Sequence, residues 1–296
     1  MTDFTFISSA DNEKIKLYKR LSADKKLRRK EQLFTVEGAR LTADAAAEAI
    51  ELHCVFFTEN ALKKYSEALE LLFSKYNKKT FSMISDELAA SLSDTQMSQG
   101  IFAICRMPKS DNAAQYAEMK SGGKYIILDN IQDPGNMHYQ LDSVLGRNDR
   151  ETFLVLDTLQ DPGNMGTMLR TADACGIDAI ITCNCCDVYN PKTVRSAMGS
   201  LMRVNIIDDD IYNAVLNLKK AGIAVYAAVI DSSAVSLTEC DFSKGGAVMI
   251  GNEGNGLPSE HSALADVPLT IKMHGTINSL NAAMAAGIIM WELSKA

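Results

Sequence analysis

The stretch FLVLDTLQDPGNMGTMLRTADACG, residues 153–176, decides the reading of this chain. Its first five residues have the character of a strand. They run into QDPGN, where Asp161, Pro162 and Gly163 favour a turn. A helix is expected from about Met165 to Cys175, ending at Gly176, a common helix stop. Two further clusters are built the same way: GNEGNGLP (251–258) follows the apolar run AVMI (247–250), and SLNAAMAAG (279–287) follows LTIKM (269–273) and the loop HGTIN. Each cluster puts Asn, Gly, Glu, Ser or Arg where a strand ends, which is where open α/β folds collect ligand-binding groups.

Working outward, strand-like DAIITC (178–183), RVNII (203–207) and AVYAAV (224–229) alternate with helical segments, one opened by Pro191 and one over 210–221. This is an α/β pattern. GNEGNG does not have the GxGxxG spacing of a dinucleotide loop, and no acidic residue stands on a following strand, which argues against a nicotinamide oxidoreductase. The amino-terminal half alternates too. A basic helix precedes the strand Leu33 to Val36, which ends at Glu37-Gly38. A helix over 40–49, strand 53–58, helix 60–76, strand 80–84, helix 86–92 and strand 100–107 follow. The polar segment 108–123 reads as a linker. The expected division is a domain over 1–107, a linking region over 108–152 and a second domain over 153–296.

The three clusters, in this order, resemble the three motifs of the SpoU (TrmH-type) family of RNA 2′-O-ribose methyltransferases, within the SPOUT class. NPKTVRSAMGSL (190–201) is also SpoU-like. The stretch NEKIKLYKRLSADKKLRRKEQLFTVEGARLTADA (12–45), with Asn12, Lys16, Arg28, Arg29 and Gly38, resembles the L30e-like substrate-binding domain found ahead of the catalytic domain in many such enzymes. The resemblance implies an α/β/α amino-terminal domain and a SPOUT α/β domain whose terminal chain threads a trefoil knot. It also implies S-adenosylmethionine as methyl donor, a ribose 2′-hydroxyl as acceptor and a homodimer formed through the carboxyl-terminal domain. The attached domain favours ribosomal over transfer RNA, with a transfer-RNA enzyme or a non-catalytic RNA-binding relative as the alternatives.

By motif position, the resemblance assigns cofactor contacts to Gly251, Ile271, Met273, Leu280 and Asn281, and the catalytic group to Arg170, supported by Asn164, Glu253 and Asn281. A guanidinium is a poor proton acceptor. Arg170 is therefore read as a stabiliser of developing alkoxide and a grip on phosphate as much as a base. The reaction needs no metal.

The net charge of −7 argues against an RNA partner. Between Glu13 and Gln32, however, nine basic residues face three acidic ones, a basic patch on an acidic protein. Lys16, Arg28, Arg29, Lys192 and Arg195 are the candidate RNA contacts, the last two beside a helix start that attracts phosphate. Seven Cys, an odd number, suit a reducing compartment, and Cys183, Cys185 and Cys186 lack the spacing of a zinc knuckle. The longest apolar stretch, Ala282 to Trp291, is about half the length a membrane span needs, so a cytoplasmic protein is expected. The helix starting near Ser279 is apolar nearly all round and is expected to be buried on more than one side. One feature stands apart: LDNIQDPGNM (128–137) nearly repeats LDTLQDPGNM (156–165), but with His138 and Asp142 at the positions of Gly166 and Arg170. That copy lacks the small residue and the cation, and is read as a partial duplication without chemistry.

Overall fold

The computed structural model describes residues 4–95, 97–108, 152–157, 159–252, 254–277 and 279–295; of 152, 153 and 155–157 only the backbone is described. The first motif copy at 128–137, with His138 and Asp142, lies outside these residues, as does Glu253. By contacts the chain divides into two compact units, 1–107 with 189–202, and 108–188 with 203–296.

The first unit begins with strand β1 (Thr5–Ile7) and two helices, α1 (Glu13–Ala23) and α2 (Lys25–Glu31). A single basic helix was expected here. The break falls at Asp24, whose backbone is extended and whose side chain accepts from the N–H groups of Lys26 and Leu27, so it caps a new helix. Strand β2 (Leu33–Glu37), helix α3 (Ala39–Ala47), strand β3 (Leu52–Phe57), helices α4 (Glu59–Lys64) and α5 (Ser66–Lys75), strand β4 (Phe81–Ile84), helix α6 (Asp86–Leu92) and strand β5 (Ile101–Arg106) complete it. The expected helix over 60–76 is two helices that meet at Tyr65. The sheet order is β1-β4-β3-β5-β2, with β1, β4 and β3 parallel and β5 antiparallel to both β3 and β2. Ile15, Tyr18 and Leu21 of α1 pack with Phe56 and Phe102 into a core in which all five are nearly inaccessible.

The structure corrects the reading of Arg28. It is only 2% exposed, and its guanidinium donates to the carbonyl oxygens of Leu21 and of Ser22, the latter at 3.1 Å. These carbonyls end α1, where backbone acceptors lack partners. Arg28 thus closes one helix from inside the next and is not presented to a phosphate.

The second unit contains β6 (Thr152–Asp157), α7 (Pro162–Cys175), β7 (Ala179–Cys183), β8 (Asn205–Asp208), α9 (Ile211–Lys220), β9 (Val225–Ala228), β10 (Val235–Ser236), β11 (Gly246–Ile250), α10 (Ser259–Ser262), β12 (Val267–Thr270) and α11 (Ala282–Lys295). Seven parallel strands form one sheet in the order β10-β12-β9-β11-β6-β7-β8. Parallel strands of this kind need both faces covered. Accordingly β7 and β11 are buried along their whole length, and α11 packs on α7, β6 and β11.

Helix α11 departs from the expectation of burial all round. Ala282, Ala283, Ala286, Ile289, Met290 and Leu293 face inward, whereas Met284, Ile288 and Trp291 are 61%, 38% and 59% exposed and form one stripe at spacings of four and three. Between β7 and β8 the chain makes a short helix, α8 (Pro191–Ser196), that belongs by contacts to the first unit. Tyr189 packs on Phe34 with ring centroids 4.8 Å apart.

Candidate active site

Because all seven strands of the second unit run the same way, the chain leaves β6, β11 and β12 at one edge of the sheet. All three polar clusters lie at that edge. The first is built on α7. Asp161, not Asn164, is the helix cap: its carboxylate accepts from the N–H groups of Gly163 and Asn164 at 3.1 and 3.3 Å. Pro162 then occupies the first helical position, where its missing N–H has no cost. Asn164 therefore sits within the first turn, with its amide turned toward the third cluster.

There it meets Asn281, whose Nδ2 donates to Asn164 Oδ1 at 3.3 Å. The opposite face of the same amide caps α11, with Oδ1 accepting from Ala283 and Met284 N–H at 2.9 and 3.2 Å. One side chain thus starts a helix and ties the first cluster to the third. Sequence reading singled out both residues but assigned neither the cap nor this pairing.

Arg170 is exposed on α7 and makes no hydrogen bond or ion pair among the described residues. Six residues separate it from Asn164, which in a helix is about 9 Å along the axis and about 120° around it. Asn164 is engaged by Asn281 and not by Arg170, whose guanidinium stands open to solvent on the same helix. Thr167 and Thr171 keep the outer surface of α7 short and polar, each donating to a carbonyl four residues earlier at 2.9 Å.

The second cluster folds back on itself. Asn252 and Gly256 form an antiparallel bridge, Gly254 N–H donates to Asn252 Oδ1 at 2.8 Å, and Gly256 adopts φ +66°. The backbone of Gly256 and Leu257 passes so close to Gly251 that a Cβ there would lie 2.1 Å from both the Gly256 carbonyl carbon and the Leu257 nitrogen. Gly251 is fixed by this crossing of main chains.

Strand β12 ends at Thr270, so Ile271 and Met273 lie in the loop and not in the ladder expected for LTIKM. They and Leu280 are half-buried. Among the described residues, no backbone group of the segment 271–280 takes part in a backbone hydrogen bond. Half-covered apolar side chains beside unspent peptide donors and acceptors suit a flat heterocycle with a polar edge.

The candidate RNA contacts all belong to the first unit but differ in their surroundings. Lys16 pairs with Asp11 at 3.2 Å on the surface of α1, Arg29 is half-buried and Lys192 is exposed. Arg195 Nη1 donates to Asp94 Oδ2 at 3.2 Å within the first unit. All seven Cys are free thiols, and among the described residues no group of His, Cys, Asp and Glu could hold a metal ion. No described helix is long and apolar enough to cross a membrane.

Residues 151–291 match the model of the SpoU rRNA methylase family, and residues 12–103 match that of the MRM3-like substrate-binding domain. The chain is 29% identical to a 23S rRNA (guanosine(2553)-2′-O)-methyltransferase of Bacillus subtilis, over 97% of this chain and 98% of the relative. It is 33% identical to a TrmH family tRNA/rRNA methyltransferase of Staphylococcus saprophyticus, over 66% of this chain and 69% of the relative. Among solved structures it superposes on an AdoMet-bound rRNA methyltransferase from Sinorhizobium meliloti with a TM-score of 0.78 and 23% identity, over 99% of this chain and 98% of the other. With its three clusters at one edge of a parallel sheet and a substrate-binding unit ahead of it, the chain belongs to the SpoU family of RNA methylases.

Proposed function

We propose that this protein transfers a methyl group from S-adenosylmethionine to a ribose 2′-hydroxyl of ribosomal RNA. The observation that carries the reading is the meeting of the first and third clusters through Asn164 and Asn281 at the edge where the second cluster also lies. The whole-length likeness to an enzyme named for 23S rRNA supports ribosomal over transfer RNA.

S-adenosylmethionine, when bound, supplies a methyl group already activated on a sulfonium. Ile271, Met273 and Leu280 provide its apolar walls, the open backbone of 271–280 meets its polar edge, and Gly251 shapes the loop beside it. Alignment then does most of the remaining work, since well-oriented reactants reach effective molarities of about 10⁵ M or more. The acceptor hydroxyl passes its proton to solvent water, which reaches the exposed surface of α7, as its oxygen attacks the methyl carbon. Arg170, always charged and open to solvent, stabilises the alkoxide that develops and grips the adjacent phosphate with two parallel hydrogen bonds. Asn281 holds the third loop against α7 so that cofactor and ribose share one frame. Glu253 belongs to this reading by its place in the second cluster.

The exposed stripe of Met284, Ile288 and Trp291 supports a homodimer through the carboxyl-terminal unit. We propose the cytoplasm as its compartment, in keeping with seven free thiols. Incubation with labelled S-adenosylmethionine and separated ribosomal and transfer RNA from a strain lacking the gene tests it. Label in ribosomal RNA is the expected result; label only in transfer RNA would replace the substrate, and label in neither fraction, nor in ribosomal subunits, would remove the activity.

A further inference from the structure

At the carboxyl ends of the parallel strands β3 and β4, the first unit opens into a cavity of about 480 Å³. That volume lies within the usual range for small-ligand sites, roughly 300 to 1,000 Å³. Its floor is fixed by a close packing of backbone. Gly100 adopts φ +68°, a Cβ there would lie 2.6 Å from Thr58 Oγ1, and Thr58 N–H donates to the Gly100 carbonyl at 2.9 Å.

The walls carry four different chemistries. Asn60 Nδ2 donates to Asp86 Oδ2 at 2.9 Å, which orients the carboxylate and leaves Oδ1 without a described donor. Gln99 Oε1 accepts from Ala39 N–H at 2.8 Å, which fixes the amide and leaves its NH₂ as a donor. Tyr65 contributes a half-buried ring, and Lys64 Nζ lies 5.4 Å from the centre of that ring. One acceptor, one donor, one aromatic surface and one cation match a polar heterocycle joined to a single phosphate. A free phosphate is a poor fit, because Asp86 would face it.

We propose that this cavity receives one unstacked nucleotide of the RNA, and that Asp86 selects a base whose edge carries an amino group over uracil. An ionised carboxylate only accepts hydrogen bonds, so it favours amino donors and repels carbonyl oxygens. Single-stranded bases are the usual targets of sequence-specific RNA recognition, stacked on aromatic rings and read along their edges. The proposal rests on RNA being the substrate and adds a reading site in the first unit.

The test uses the full-length protein and end-labelled hexanucleotides of C, A and U, with affinity read by fluorescence anisotropy. The native protein is expected to bind the C and A oligomers about tenfold more tightly than U, the scale of one good side-chain–base pair. Asp86→Asn, which keeps size and adds a donor, removes that preference. Tyr65→Ala weakens all three together, by about tenfold for one lost stacking surface. Circular dichroism melting of each variant verifies the fold. Lys64→Ala, at an exposed position, gives a second variant expected to weaken all three and to reduce the salt slope by about one. Equal affinity for the three oligomers, no binding of any, or a preference that survives in folded Asp86→Asn overturns the proposal. Methyl transfer to ribosomal RNA without base discrimination removes this site alone, whereas discrimination without transfer removes the enzymatic reading and leaves the site.

Discussion

Replacing Asn281 separates two jobs done by one side chain. In Asn281→Ala the cap on Ala283 and Met284 N–H is lost together with the hydrogen bond to Asn164. Loss of an Asn cap costs about 1 kcal/mol, and an exposed hydrogen bond near 3.3 Å adds about 0.5 kcal/mol. The sum, about 1.5 kcal/mol, lowers the melting temperature by roughly 3 to 6 °C in a domain of this size. Asn281→Asp keeps an oxygen acceptor at the helix start, where a negative charge also opposes the helix dipole, so its stability stays within about 0.5 kcal/mol of native. What Asp cannot do is donate to Asn164. If the link between the first and third clusters aligns cofactor and ribose, both variants lose methyl transfer to a similar extent while only Ala loses stability. Thermal denaturation and labelled-methyl transfer, measured on the same preparations, give the two readouts. An Asp variant as unstable as Ala would refute the assignment of the cap, and an Asp variant with native transfer would refute the role of the link.

Other substitutions follow the same geometry. Gly251→Ala is expected to abolish cofactor binding by calorimetry, because its Cβ would lie 2.1 Å from two backbone atoms. Arg170→Ala should reduce methyl transfer by at least about 10²-fold, the usual loss for one charge-stabilising donor, with cofactor affinity retained in the same titration. Arg28→Ala should cost about 2 kcal/mol in denaturant unfolding, since it strands carbonyls at the end of α1 that a buried guanidinium now satisfies. Arg29→Ala is expected instead to weaken RNA binding in a salt-dependent way. Finally, burial pushes the Cys54 thiol up to about 12 and raises that of Cys105, its neighbour in the sheet. The unfolded chain ionises both near pH 9 while the folded chain does not, so stability is fully present below pH 9. It then falls by about 1.4 kcal/mol per pH unit for each thiol as the pH rises toward 12. Cys54→Ala should flatten that alkaline decline.

The sheet of the second unit was legible because buried parallel strands leave plain apolar runs, and each run ended at a polar cluster. Boundaries were less so where a side chain, not a pattern, sets them. Asp24 divides the basic helix and Asp161 moves the start of α7 back to Pro162; both are short-range capping events that apolar periodicity does not register. Strand β12 stops before Ile271 because its ladder with β9 ends at Leu269 and that with β10 at Thr270, a tertiary fact. For the site, the resemblance of the three strand-end clusters to SpoU motifs assigned Asn164, Gly251 and Asn281. The amide pair depends on where loops distant in the chain meet, and the close backbone approach at Gly251 on how one loop folds back on itself. Arg28 was misread for a related reason: within a run of basic residues, the one turned inward is chosen by helix phase and by the carbonyls available to it. The cavity of the first unit was not legible as a site: Gln99-Gly100 fits the pattern of the amino-terminal domain, but Asn60 and Asp86 join it from two other loops or helix starts.

The central claim is that the ribose 2′-oxygen, and not a base, receives the methyl group. Alkaline hydrolysis of RNA labelled by the native protein tests this directly, because cleavage of each phosphodiester requires the free 2′-hydroxyl beside it. The account predicts label in alkali-resistant dinucleotides and none in mononucleotides, with Arg170→Ala giving neither. Label released entirely as mononucleotides would place the methyl group on a base and contradict it.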